Sequence, residues 1–142
     1  MSFAVFAQAP TGGGVALGAT LTSGTQAAVM ESEPVEDGAL PPAPMGVVIR
    51  GFINVTSGAT AGAYAIKCFQ GAGLAGTQIG LAAGDTFQTI ASSPSQVHFS
   101  FTDTNVQKAP NGVYTIGVTA AGSNGVFNDG AIEVYVPMQG SE

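Results

Sequence analysis

Few side chains in this sequence suit acid, base or nucleophilic chemistry. Its 142 residues include one histidine, one cysteine, three lysines or arginines and nine aspartates or glutamates. Histidine is the side chain that most often transfers protons near neutral pH, but the alternation around His98 places it on the outward face of a strand. A thiol nucleophile at Cys68 would need His98 beside it, yet Cys68 falls on the inward face of another strand. We therefore expect no catalytic residues and a protein that is not an enzyme.

The acidic residues match no known catalytic pair or metal site. Glu133 falls inside a predicted strand, whereas most of the aspartates, Asp103 among them, fall at turns, where they bond to local backbone. Four acids cluster within residues 31–37 without the spacing of an EF-hand loop. Zinc needs several cysteine or histidine ligands, and this chain has one of each. We predict no metal site and no cofactor, and whether segment 31–37 holds a cation stays open.

Composition disfavours two classes of partner. The formal net charge is −6 and the only fixed cations are Arg50, Lys67 and Lys108, so no basic stripe is available for nucleic-acid phosphates or anionic lipid. No apolar run approaches the ~20 residues of a membrane-spanning helix. Residues 1–10 lack the cationic start and the long apolar stretch of a signal peptide. We expect no nucleic acid, no membrane and no signal peptide.

The chain alternates short β-type segments with glycine-rich turns. Segments rich in β-branched and aromatic residues recur between turn signals such as Gly71-Ala72-Gly73 and Pro110-Asn111-Gly112. No long segment keeps a helical period, and parallel strands need crossover connections that are usually helical. The sheets should therefore be antiparallel. We predict an all-β fold, an antiparallel two-sheet sandwich or barrel of jelly-roll or Greek-key type, with about eight strands.

A change in composition divides the chain at residue 45. Residues 1–45 contain weak strand patterns followed by a proline- and acid-rich loop at 31–44, and we interpret them as an extended N-terminal arm with room for one or two strands. Residues 46–142 are the predicted β-sandwich body. On this division, deleting residues 1–45 should leave the body folded and weaken assembly.

Alternation along the strands predicts which side chains face the core. The inward set comprises Val47, Ile49, Ile53, Val55, Tyr64, Ile66, Cys68, Val97, Phe99, Phe101, Tyr114, Ile116, Val118, Ile132, Val134 and Val136. Aromatic residues outside this set are candidates for contact with a partner, because aromatic side chains often anchor interfaces. These candidates are Phe3, Phe6, Phe52, Phe69, Phe127 and Tyr135. The four in the body could equally form a second face of the core.

The low charge predicts self-association. Only 8% of the residues are charged, against ~25% in typical soluble domains. A surface of serine, threonine, glycine, alanine and amides has little charge to keep copies apart. We predict a homo-oligomer, and a threonine- and serine-rich surface that stays monomeric is the alternative.

Three segments combine β-branched, aromatic and glycine residues: residues 47–58 (VVIRGFINVTSG), 64–71 (YAIKCFQG) and 128–135 (NDGAIEVY). They resemble small β-rich virion proteins of tailed bacteriophages, particularly head-decoration (capsid cement) and minor capsid proteins. The resemblance covers residues 46–137 and lies in the residue types of the strands and in their order. It implies a sandwich or barrel that caps the outside of a capsid lattice, often as a trimer, with the N-terminal segment bridging to the shell. The implied partners are the major capsid protein or another virion protein, and the implied location is the virion, assembled in the host cytoplasm.

A carbohydrate-binding or adhesin-like β-sandwich module is the alternative function. Such modules use exposed tryptophan or tyrosine as platforms for sugar rings. This sequence has no tryptophan and three tyrosines, which favours the structural virion protein.

Overall fold

The structure is a computed structural model that describes residues 2–8, 14–34, 46–104 and 112–137. These residues form ten β-strands and no α-helix. The strands are β1 (Ser2–Gln8), β2 (Ala19–Leu21), β3 (Gln26–Glu31), β4 (Val47–Ser57), β5 (Ala63–Gln70), β6 (Gln78–Ile79), β7 (Asp85–Gln88), β8 (Pro94–Asp103), β9 (Tyr114–Ala121) and β10 (Gly125–Pro137).

The strands form two antiparallel sheets packed as a sandwich. The first sheet has the order β1-β10-β4-β8, with β2 also paired to β10. The second has the order β3-β9-β5-β6, with β7 also paired to β5. Because β1 and β2 share one place beside β10, and β6 and β7 share one beside β5, the ten strands occupy eight positions. Their order is that of a jelly roll. The all-β sandwich prediction is confirmed, and the sheets do not close into a barrel.

One apolar core lies between the sheets and contains side chains from both. Its members include Ile49 and Ile132 from the first sheet and Ile66 and Ile116 from the second, all fully buried. The predicted inward set is buried, except that Val97 is half-buried. Period-two alternation was a sufficient guide here because each strand has one face on the core and one face away from it.

A bulge in β10 overturns one face prediction. Phe127 pairs with Val55, and the register with β4 then shifts between Phe127 and Asp129. The extra residue moves the inward set from odd to even numbers, so Phe127 and Ile132 face the same side. Phe127 is fully buried in the core. Its predicted place on the outward face was wrong, and of the two roles that the sequence left open for Phe127, the structure shows a place in the core.

Phe69 also has little exposed surface. It alternates with the inward Cys68, as predicted, but only 8% of it is exposed. The two aromatic candidates of the body that keep a half-exposed position are Phe52 and Tyr135. Phe3 and Phe6 lie in β1, in register with Val136 and Glu133 of β10.

The predicted boundary at residue 45 does not coincide with the limit of the core. Leu21 of β2 and Val29 and Met30 of β3 are fully buried in the same cluster as the body. Gly130 of β10 helps this packing, because a Cβ atom there would lie 3.0 Å from the Met30 sulfur. Residues 19–31 therefore belong to the sandwich. Residues 35–45, which contain most of the predicted loop, lie outside the described residues.

Candidate functional site

The outward face of the first sheet gathers the side chains best suited to recognition. Antiparallel register places Ser100, Arg50 and Glu133 in one row across β8, β4 and β10. The neighbouring row contains His98, Phe52 and Ala131. Together with Tyr135, these side chains form what we call the outer patch: Arg50, Phe52, His98, Ser100, Ala131, Glu133 and Tyr135.

An ion pair and an aromatic ring hold the guanidinium of the outer patch. Arg50 Nη2 lies 2.6 Å from Glu133 Oε1, and Arg50 Nε donates a hydrogen bond of 2.7 Å to the same oxygen. The guanidinium carbon lies 5.1 Å from the centre of the Tyr135 ring, which is within cation–π range. The Arg50 side chain is 53% exposed, so solvent screens the pair and its contribution to stability is about 1 kcal/mol or less. The contacts orient the guanidinium, which stays accessible to a partner.

A shallow depression of about 380 Å³ lies in the outer patch. Phe52 and His98 line it, with ring centroids 6.1 Å apart and ring planes at 51°. Ala131, the smallest member of its row, leaves space beside Phe52. The depression therefore offers an aromatic face, a cation and an anion within one open surface, which suits the recognition of a partner surface or a polar ring.

The outer patch has no pair of groups arranged as nucleophile and base. In the described part of the chain, His98 has no carboxylate hydrogen-bond partner, and Cys68 lies in the core. Within the same ranges, no group of three or more histidine, cysteine, aspartate or glutamate residues is placed to hold a metal ion. No helix among the described residues has the length and apolar character to cross a membrane. Lys108 lies outside the described residues.

A second polar cluster is buried between the sheets. Asp103 is 3% exposed, and its Oδ2 accepts hydrogen bonds from Gln70 Nε2 at 2.8 Å and from the Tyr114 hydroxyl at 2.7 Å. The turn predicted at Asp103 was wrong, because Asp103 is the last residue of β8. Asp103 lies two and four residues after the inward Phe101 and Phe99. Alternation along β8 therefore predicts that the Asp103 side chain points into the core.

The Asp103 cluster is a poor source of nucleophiles. Burial raises the pKa of the Cys68 thiol far above its usual range, and the charge of Asp103 raises it further. Burial also raises the pKa of Tyr114, with additional contributions from its hydrogen bond to Asp103 and from that charge. Both groups therefore stay protonated at neutral pH. The cluster joins β5, β8 and β9, and its evident role is to fix how the two sheets meet.

A third polar cluster lies where β4, β5 and the segment after β7 meet. The hydroxyls of Ser57 and Thr89 share a hydrogen bond, and Thr89 Oγ1 also accepts from Gly62 N at 3.1 Å. Both hydroxyl residues are buried. Because each buried polar atom has a partner, this cluster stabilises the end of the sandwich and leaves no group free for a ligand.

Comparison with protein-family models, with curated proteins and with solved structures finds no match to this chain. The jelly-roll assignment therefore rests on strand order and register alone, and the resemblance to bacteriophage virion proteins stays a prediction.

Proposed function

We propose that this protein is a structural component of a virion, a decoration or cement protein that binds the outside of a capsid lattice and associates with copies of itself. The observation that supports this most strongly is the outer patch, an accessible aromatic and arginine cluster on a protein with few charges. Jelly rolls recur in viral capsid proteins. Since one fold serves many functions, the outer patch supports the proposal more strongly than the fold does.

Three members of the outer patch are of residue types that are enriched at the centres of interfaces: Arg50, Phe52 and Tyr135. Ser100, Ala131 and Glu133 are of types that are depleted there. Phe52 and Tyr135 are half-buried in the chain by itself, so each keeps apolar area for a partner. The Arg50–Glu133 pair is already formed, and a partner that covers it would not have to order these side chains. Phe3 and Phe6 of β1 remain candidates for contacts of the N-terminal segment.

Lattice binding suits contacts that are individually weak. Many copies on a repeated surface multiply small affinities through avidity. A patch on the outward face of a rigid sheet keeps its geometry when it binds, because its strands are held by the core beneath. Trimeric association around a threefold position is the stoichiometry that the resemblance implies.

Particle incorporation tests the proposal directly. The protein is co-expressed with the shell protein encoded nearest to its gene, particles are purified on a density gradient, and copies per particle are counted by mass spectrometry. We expect the wild-type protein on the particles and at least about tenfold lower occupancy for Phe52→Ala with Tyr135→Ala. Ile90→Ala, at a residue 73% exposed outside the patch, should leave occupancy unchanged. Particles without the wild-type protein, or with full occupancy by the double variant, would refute the proposal.

A carbohydrate-binding module is the second candidate, and the depression of about 380 Å³ beside Phe52 favours it. A pyranose ring could stack on Phe52 while Arg50, Ser100 and Glu133 bond to its hydroxyls. Screening on a glycan array, with Ala131→Trp as a variant that fills the depression, separates the two functions. Binding that Ala131→Trp abolishes would favour the module, and an array without signal would exclude it for the sugars displayed.

A further inference from the structure

The outer edge of β8 is open in the described structure. β8 pairs with β4 over ten consecutive residues, Pro94 to Asp103, without a register shift. Among residues 2–8, 14–34, 46–104 and 112–137, no strand pairs with its other edge. Backbone N–H and C=O groups of alternate residues between Ser95 and Thr102 therefore point to a place that another strand can fill.

Most other edges of the sandwich carry features that discourage such pairing. β6 has two residues, and β7 has four and carries the exposed Asp85. β3 ends in Glu31 and has a register shift between Ala28 and Met30. β8 is longer and pairs without a register shift. Pro94 is its first residue, and the exposed side chains that follow bear no fixed charge: Gln96, His98, Ser100 and Thr102. Proteins usually blunt an edge of this length with lysine, proline or a bulge within the strand unless the edge is used.

We propose that β8 pairs antiparallel with β8 of a second copy across a twofold axis, which joins two first sheets into one continuous sheet. A twofold axis perpendicular to the sheet brings outward side chains opposite outward ones and buried side chains opposite buried ones. Registers centred on His98 or on Phe99 both satisfy this condition. The edge is complementary to itself because neither register brings fixed like charges together. Val97 lies opposite Phe99 in the register centred on His98, and in the register centred on Phe99 it lies opposite Phe101 while Phe99 meets its own copy.

The position of the depression agrees with this pairing. His98, Phe99 and Ser100 of β8 line its side nearest the open edge. Two paired copies bring their depressions next to each other across the axis, so the outer patches form one continuous surface. The inference rests on the proposed self-association and names the strand that carries it, with a twofold dimer in place of the trimer that the resemblance implies.

Lysine substitutions on the edge test the pairing. Gln96→Lys with Ser100→Lys adds two cations to exposed positions of β8, and antiparallel pairing places them close to cations of the second copy. We expect a wild-type dimer by sedimentation equilibrium across the micromolar range and a dissociation constant at least about tenfold higher for the double variant. Thr86→Lys with Gln88→Lys, at exposed positions of β7, is the matched control and should dimerise like wild type. An unchanged dissociation constant for the β8 variant would overturn the pairing.

Disulfide trapping is a second measurement that does not depend on weakening the protein. A chain with His98→Cys and Ser100→Cys places a thiol opposite a thiol in either register, whereas the native Cys68 is buried. Mild oxidation should give a covalent dimer for this variant, and none for wild type or for Thr86→Cys with Gln88→Cys. Absence of the covalent dimer would contradict the proposal.

Deletion of residues 1–13 distinguishes twofold pairing from a head-to-tail contact between β8 and β1 of the next copy. We expect the deletion variant to remain a dimer. Association that is lost on this deletion, or a trimer that the β8 lysines leave intact, would overturn β8 pairing and still be compatible with a self-associating virion protein. Loss of particle incorporation in a protein that still dimerises would contradict the proposed virion function and leave β8 pairing standing.

Discussion

The two faces of the first sheet are formed by the same strands and differ in what they can do. Side chains that point inward from β4, β8 and β10 are buried in the core, among them Ile49, Phe99 and Ile132. Their outward neighbours Arg50, His98 and Glu133 are exposed or half-buried and belong to the outer patch. Since successive residues of a strand alternate between faces, substitutions one position apart should affect stability in one case and binding in the other.

The largest effect is expected from removing the core side chains that the N-terminal segment contributes. Deleting residues 1–45 removes Leu21, Val29 and Met30, all fully buried. Truncating one large core side chain costs about 2–5 kcal/mol, so the loss of three approaches or exceeds the typical stability of about 5–15 kcal/mol. We expect residues 46–142 alone to show no cooperative thermal transition by circular dichroism, contrary to the expectation from sequence. Residues 14–142, which keep β2 and β3, are the control and should unfold cooperatively.

Two phenylalanines that the sequence placed on the outward faces of their strands sharpen the comparison. Phe127→Ala leaves a cavity in the core and should lower the free energy of unfolding by about 3–5 kcal/mol. Phe52 is half-buried on the outer face, so Phe52→Ala should lower it by about 1 kcal/mol. Urea titration followed by fluorescence or circular dichroism measures both. Equal losses for the two variants would contradict the difference between the faces.

The buried Asp103 cluster predicts a loss of stability at alkaline pH. The ordinary pKa values of cysteine and tyrosine are 9.0 and 10.0, and the folded protein raises those of Cys68 and Tyr114. The folded state therefore retains protons that the unfolded state releases at high pH. The free energy of unfolding that these groups contribute is fully present below about pH 9 and decreases as the pH rises above it. Each retained proton adds about 1.4 kcal/mol per pH unit to the fall. Urea unfolding from about pH 7 to about pH 11 should show a shallower fall for Cys68→Ala with Tyr114→Phe than for wild type.

The smallest effect on stability is expected on the outer face. Glu133→Gln removes the charge that holds Arg50, and because the pair is exposed the free energy of unfolding should change by about 1 kcal/mol or less. Glu133→Gln with Arg50→Ala, combined in a double-mutant cycle of urea titrations, measures the coupling of the pair. A coupling well above this range would mean that the outer face contributes to stability as the core does.

Several features of the fold were predictable because they depend on local alternation. The inward positions of β4, β8 and β9 and the antiparallel sandwich follow from period two, β-branched residues and turn signals. The face of Phe127 was not predictable in this way, since the bulge after it becomes visible only in the pairing with β4. The place of residues 19–31 in the core was also missed. Their strands are short and contain alanine beside glycine-rich turns, so the alternation of apolar residues is weak.

Only part of the outer patch was predictable from the sequence, for a related reason. Phe52 and Tyr135 were recognised as outward aromatic residues, but their association with Arg50 and Glu133 depends on register between strands that lie far apart in sequence. Asp103 was assigned to a turn because aspartate is common there. Its partners Gln70 and Tyr114 come from two other strands, so no local pattern contains the network.

The amino-acid sequence by itself determined that the chain forms strands, which residues of most strands point inward, and how little charge the surface carries, since all three depend on composition and on spacing along the chain. Tertiary structure decided the jelly-roll order, the reversal of face in β10, the assembly of the outer patch and the open edge of β8. The physical reason is that cross-strand pairing joins residues far apart in sequence, and those contacts stabilise the protein only when the sheets have formed.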